Sequence, residues 1–287
     1  MIVRRYLHGK NLTGNKKVLV ISGVHGNETH AVAATYQLYE NMCKFNSSEI
    51  GEIDFIFNLN EYGLEQDTRD NLYAKETSTN LNRLFPKEYN TPDEIKDYLK
   101  KIVNENYDLI LDVHNSPCCL DCVLIDYDEN TNKLLGVLKD SPLEPMVRPT
   151  QIGTIKKLFN KYSYAYTVEL GEMGIRGDYK ASAELLRTFI ETVIGNMKDK
   201  KTVEVNQDCV VKTLCTKIDN GIIRYERANV VGYYEEGDPI CTIKNMHTSE
   251  VEYIEAPFDG ILFDVDDNIY SYSGKEFGMF GRKIEID

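Results

Sequence analysis

The sequence has no Lys/Arg-rich block, no apolar window long enough to cross a bilayer, and no even set of cysteines of the kind that builds a disulfide framework. Each absence removes a class of function. Lys and Arg number 33 against 46 Asp and Glu, a formal charge of −13, and the short basic run at residues 198–201 is broken by Asp199. Nucleic-acid backbones are held by concentrated positive charge, so a nucleic-acid partner is not expected. The amino terminus lacks the apolar core of a signal peptide, and the chain reads as cytoplasmic with no membrane partner. Seven cysteines, an odd number, suit reduced thiols. Cys119-Leu-Asp-Cys122, beside Cys118, is a lone C-x-x-C and reads as buried or strand-edge thiols rather than a metal knuckle or redox pair. At 287 residues the chain needs no staples, because a packed core suffices.

What the chain does carry is concentrated at the ends of short apolar runs. Residues 18–21, Val-Leu-Val-Ile, have the composition of a strand buried on both faces of a parallel or mixed sheet. Gly23 and Gly26 then permit a sharp turn, and Asn27 is placed to cap a helix over residues 28–42. His25 and Glu28 meet at that turn, where an imidazole nitrogen and a carboxylate suit one Zn²⁺ with positions left over. Alone, the pair reads more simply as a capping turn with an incidental histidine. A third candidate ligand changes the weighing. Residues 109–113 read as another buried strand with His114 at its carboxyl end, the edge where open α/β sheets build sites. His25, Glu28 and His114 together have the makeup of a catalytic zinc site.

Two further segments present polar groups among apolar ones. Tyr164-Ala-Tyr-Thr-Val-Glu-Leu-Gly171 reads as a strand with an acid in its apolar part; Glu169 is either salt-bridged at a strand end or set over a cleft. Near a zinc ion it could take a proton from the attacking water and deliver it to a leaving amine. Asn82 and Arg83, flanked by Leu81, Leu84 and Phe85, lie in a long polar segment at residues 59–92, too long for an idle loop. The pair suits bidentate carboxylate binding, and equally a surface ion pair.

The order of elements is that of an α/β catalytic domain over residues 1–200 and a smaller all-β domain over 201–287, the β domain capping or shaping the cleft. Further helices are expected at residues 91–103, 131–138 and 178–197, with a proline-bearing connection at 142–149. Glu235-Glu-Gly-Asp-Pro-Ile-Cys-Thr-Ile and Glu255-Ala-Pro-Phe-Asp-Gly-Ile-Leu resemble half-repeats of biotinyl/lipoyl-type barrels, without a carrier lysine between them; a structural barrel is expected.

Gly23-Val-His-Gly-Asn-Glu, Asn80-Leu-Asn-Arg-Leu-Phe-Pro, Asp112-Val-His-Asn-Ser and Val168-Glu-Leu-Gly, in this order, resemble the motifs of the succinylglutamate desuccinylase and aspartoacylase family, a branch of the zinc carboxypeptidase clan. The resemblance implies a zinc-carboxypeptidase-like mixed sheet flanked by helices, with one Zn²⁺ held by His25, Glu28 and His114. It also implies an amidohydrolase for a small N-acyl amino acid such as N-acetylaspartate, with Glu169 as general base and Asn82 and Arg83 on a substrate carboxylate. Lys75 stands where aspartoacylases place an arginine, Lys157 or Lys156 best matches a second one, and Tyr270 or Tyr272 matches a tyrosine that closes the site. Lysine keeps the charge and loses the planar fork. An N-succinyl substrate, a carboxypeptidase of the same clan and a non-catalytic zinc-binding protein are the alternatives, and a homo-oligomer is compatible with each.

Overall fold

The structure is a computed structural model and describes residues 2–6, 14–70, 80–85, 105–116, 119–151, 154–158, 163–171, 177–199, 201, 203–215, 217–218, 222–225, 231–265, 270–272 and 276–286. A seven-stranded sheet organises the first two-thirds of the chain. Its strands are β1 (Ile2–Tyr6), β2 (Lys16–Ser22), β3 (Ile50–Ile56), β4 (Leu109–His114), β5 (Cys122–Asp126), β6 (Glu144–Arg148) and β7 (Tyr164–Glu169). They lie side by side in the order β1-β3-β2-β4-β7-β5-β6. The central strands β3, β2, β4 and β7 are parallel, as are β5 and β6, while β1 on β3 and β5 on β7 are antiparallel. The expected mixed sheet is present.

Alternation along these strands separates packing from chemistry. Val18, Val20, Leu109, Leu111, Val113, Tyr164, Tyr166 and Val168 face a core shared with α1 (Thr29–Glu40) and a later helix, residues 179–196. Fully buried side chains such as Phe189 and Leu186 each stabilise that layer by about 1.5–3 kcal/mol. Leu19, Ile21, Ile110 and Ala165 face the other way, under Leu81, Leu84, Phe85 and Ile155. Because side chains alternate with period two, Asp112 and His114 share the face of Ile110, and Thr167 and Glu169 that of Ala165. The second face therefore carries the polar residues at the carboxyl ends of β4 and β7.

The other α-helices among the described residues are the short α2 (Glu61–Glu65) and α3 (Thr131–Leu135) and the long α4 (Tyr179–Asn196), whose first turn is capped by Asp178 Oδ1 accepting from Ala181 N at 3.0 Å. Two expectations meet differences. β6 occupies part of the proline-bearing connection; it is the edge strand, where Pro145 withholds no hydrogen bond from a neighbour on both sides. α1 begins at Thr29 and is not capped by Asn27: Asn115, just past β4, accepts from Ala31 N at 2.9 Å. The helix expected at 91–103 lies outside the described residues.

The C-terminal part forms two four-stranded antiparallel sheets from β8 (Lys212–Cys215), β9 (Ile222–Tyr225), β10 (Gly232–Tyr234), β11 (Pro239–Asn245), β12 (Val251–Glu255), β13 (Gly260–Val265), β14 (Tyr270–Tyr272) and β15 (Glu276–Gly281). The orders are β10-β13-β15-β8 and β12-β11-β9-β14. Ile240, Ile243, Phe258, Leu262 and Phe280 form their common core. A separate apolar cluster, with Cys122, Leu124 and Met146 on one side and Ile261 and Phe263 on the other, joins the first of these sheets to the site face of the large sheet. Cys119 and Cys122 are free and buried there, as expected of structural thiols.

Candidate metal centre and anion site

The turn after β2 is shaped by two glycines. Gly23 has φ +70°, and a Cβ there would meet Asn58 at 2.7 Å; a Cβ on Gly26 would meet the backbone of Gly63 at 2.0 Å. That compact turn brings His25 over Glu28, with His25 Nδ1 at 2.7 Å from Glu28 Oε1. His114, at the end of the adjacent strand β4, places its Nδ1 at 2.8 Å from Glu28 Oε2 and 3.2 Å from His25 Nδ1. One ligand atom from each residue lies within 4.8 Å of the others, and all three are buried.

The outward nitrogens of both rings are occupied. His25 Nε2 is 3.2 Å from Asn80 Oδ1, which also accepts from Asn82 N at 2.9 Å, and His114 Nε2 is 3.0 Å from Asp112 Oδ2. Both partners accept, so each Nε2 carries its proton and each Nδ1 is left to face the cluster. Two imidazole nitrogens and one carboxylate, with outer partners that set the tautomers, are a donor set that fits Zn²⁺. Burial works against the charge on Glu28, yet His114 and His25 hold its carboxyl well below the usual carboxylate range. Burial also lowers His25, whereas for His114 the carboxylates of Asp112 and Glu28 outweigh burial and raise it well above the usual imidazole value.

Glu169 pairs with His114 in the β4–β7 register, so the two side chains stand next to each other on one face. Its carboxyl is pushed up to about 8, chiefly by burial, with Glu28 and Asp264 adding and His114 and Arg148 opposing. Asp264 belongs to β13, so the C-terminal part contributes charge to this site.

Cations gather on the same face. Asp126 Oδ1 receives Arg148 Nε at 3.0 Å and Lys156 Nζ at 3.1 Å, and Arg148 Nη2 donates to Thr167 Oγ1 at 3.3 Å. Arg83 is more exposed, donating from Nη1 to its neighbour's carbonyl, Asn82 O, at 2.7 Å; burial and the charges of Arg148 and Arg69 lower its pKa. Arg69 reaches Glu28 Oε1 at 3.3 Å. Lys156 is buried, and burial together with Arg148 brings it down to about 8. A second cation on one carboxylate in a dry setting costs more desolvation than it returns. Lys156→Met is therefore expected to melt no earlier than the wild type at pH 7 and to be more stable by about 1–3 kcal/mol. The folded pKa lies below the unfolded value, so the unfolded chain binds more protons between about pH 8 and 10.5. The wild type gains stability over that window and the gap to the variant narrows; denaturant titrations at pH 7 and 10 check both points, and a less stable variant at pH 7 would refute them.

Of the residues singled out by sequence, His25, Glu28, His114, Glu169, Asn82 and Arg83 are brought together by β2, β4, β7 and the turn at Leu81–Arg83. Lys75 lies outside the described residues, as do the side chains of Lys157 and Tyr270. Arg148 and Asp112 went unrecognised by sequence reasoning as site residues. Arg148 sits in an expected connection, and Asp112 became meaningful only once alternation put it on His114's face.

The family model for the succinylglutamate desuccinylase/aspartoacylase catalytic domain matches residues 14–195. This chain belongs to that family. Its fold resembles an aspartoacylase family protein from Mesorhizobium loti (TM-score 0.69, 18% identity) and a succinylglutamate desuccinylase/aspartoacylase from Rhodobacter sphaeroides (0.68, 15%). It also resembles the product-bound ectoine utilization protein EutE from Ruegeria pomeroyi (0.65, 16%). Each comparison covers 94% of this chain and 86% of the other. No curated protein matches the sequence.

Proposed function

We propose that the chain is a zinc-dependent amidohydrolase that removes the acyl group from an N-acyl acidic amino acid, with a zinc-carboxypeptidase-like catalytic domain over residues 1–200 and the domain at 201–287 shaping its cleft. The observation that carries this reading is the convergence of His25, Glu28 and His114, with Glu169 beside His114 on the next strand. His25 and His114 would hold the ion through Nδ1 and Glu28 through its carboxylate. A bound zinc ion supplies Lewis acidity to the scissile carbonyl and the attacking water. Glu169 takes the proton from that water and returns it to the leaving amine nitrogen, a role suited to a carboxyl held closer to neutrality than an exposed one. Arg83 presents a guanidinium to the substrate carboxylate, with Arg148 and Lys156 keeping the surrounding potential positive. The family resemblance adds Lys75, Lys157 and Tyr270 as substrate contacts.

The test is amine release from N-acetyl, N-formyl and N-succinyl amino acids, with short peptides alongside, for zinc-loaded and chelated protein. Zinc-dependent release from N-acyl aspartate or glutamate supports the reading; release from peptides alone would replace it with a carboxypeptidase, and tight zinc binding without hydrolysis with a binding protein. Arg83→Ala is expected to raise KM for anionic substrates by about 10–100-fold, the worth of a charge-assisted hydrogen bond, with kcat changed far less. Unchanged kinetics would remove Arg83 from the substrate site.

A further inference from the structure

The first turn of α1 lacks a cap of its own. Glu28 stands at the N-cap position, where a side chain usually accepts from a first-turn N–H, but its carboxylate makes no such bond and faces His25 and His114 instead. We propose that Asn115 is a positioning residue for the metal centre: it caps α1 in place of Glu28 and so leaves that carboxylate to ligate. This rests on the reading of His25, Glu28 and His114 as zinc ligands.

Ala31 lies in the first turn of α1, which starts at Thr29, and its N–H is of the kind that an N-cap side chain ordinarily takes. It donates to Asn115 Oδ1 at 2.9 Å. Ala31 is fully buried, so without that oxygen its N–H would have no water to turn to. Asn115 also binds the carboxylate itself: its backbone N–H donates to Glu28 Oε2 at 3.3 Å, the oxygen that lies 2.8 Å from His114 Nδ1. It follows His114 directly, and His114 O accepts from Leu170 N, the residue after Glu169, at 2.9 Å. One residue thus joins the end of β4 to the start of α1, and with it His114 to Glu28. If the amide oxygen is removed, an acceptor already at the N-cap position, the Glu28 carboxylate, is there to replace it. Cap and ligand would then compete for one group. Partners that hold a ligating residue in place commonly change metal affinity about 10–100-fold when altered.

The deciding measurement needs no substrate. Zinc dissociation constants of wild type, Asn115→Leu, Asn115→Ala, Asn115→Asp and Asp178→Ala are obtained by competition with a chromophoric chelator, and the visible spectra of the Co²⁺-loaded proteins are compared. Asp178 caps α4 as Asn115 caps α1, so its loss uncaps a helix that carries no metal ligand. Asn115→Leu and Asn115→Ala are expected to bind zinc about 10–100-fold more weakly and to shift the Co²⁺ bands, while Asp178→Ala does neither. Asn115→Asp keeps the shape and an acceptor for Ala31, and should bind zinc no more weakly than wild type. Melting curves separate capping from positioning: the three uncapped variants all melt earlier when chelated, and only those at 115 lose part of the stabilisation by zinc. Wild-type zinc affinity and Co²⁺ spectra in Asn115→Leu, or in Asn115→Ala should leucine not fold, would reduce Asn115 to a helix cap and overturn the proposal. Zinc loss in Asn115→Asp equal to theirs would overturn it as well. If the wild type binds zinc tightly but hydrolyses no N-acyl amino acid, the functional reading fails while the affinity and spectral comparison still decides the role of Asn115. A wild type that binds no zinc overturns both.

Discussion

Glu169→Gln is expected to cut turnover by about 10²–10⁴-fold while the protein keeps its zinc, the range that a positioned proton-transfer group contributes. Glutamine preserves shape and hydrogen bonding but cannot accept the proton of the attacking water. The residue stands beside His114 in the sheet without being one of the three converging ligands, so its replacement leaves the donor set intact. The neutral amide also removes a carboxylate from surroundings that disfavour its charge, so thermal stability is expected to hold or rise. Metal analysis, a melting curve and kcat, taken on one preparation, separate these effects. A variant retaining more than a tenth of the wild-type rate would end the general-base assignment. Lost zinc would instead make Glu169 a part of the metal centre.

The second large effect is expected from His114→Ala, and it should be visible before any metal is added. His114 stands between two buried carboxylates, 3.0 Å from Asp112 and 2.8 Å from Glu28. Deleting it leaves Asp112 without the imidazole it orients and Glu28 with His25, Arg69 and the Asn115 N–H. Breaking a buried pair by removing one partner typically costs about 3–5 kcal/mol, because the survivor stays desolvated. Chelated His114→Ala should therefore unfold at markedly lower denaturant than chelated wild type, and zinc should no longer stabilise it to the same degree. Equal stability of the two chelated proteins would mean that the carboxylates are hydrated and the cluster is looser than its distances indicate. Stabilisation by zinc equal to that of wild type would remove His114 from the ligand set.

Much of this site could be read from the chain because its parts are local. The aliphatic runs before Ser22 and His114 can hardly be anything but strands buried on both faces, and the two-sided burial of β2 and β4 bears this out. Gly23 and Gly26 reveal a turn that no side chain could make, and His25 and Glu28 are joined by that turn alone. The acid within the apolar run of β7 advertised itself, since an unneeded carboxylate there would be costly. Less visible was anything that depends on which strands are neighbours. β6 was hidden because Pro145 argues against a strand unless the strand is known to be at an edge. The cap of α1 escaped because its acceptor, Asn115, is 84 residues away.

The donor types and their placement at strand ends were thus determined by the sequence itself, through local preferences of composition, turn geometry and alternation. That β2, β4 and β7 lie adjacent, so that His25, His114 and Glu169 become neighbours, was decided by the tertiary structure. So was the convergence of Arg148 and Lys156 on Asp126. The reason is physical: strand order and register are settled by burial of side chains far apart along the chain, and a buried polar atom takes whichever partner that packing brings within about 3 Å.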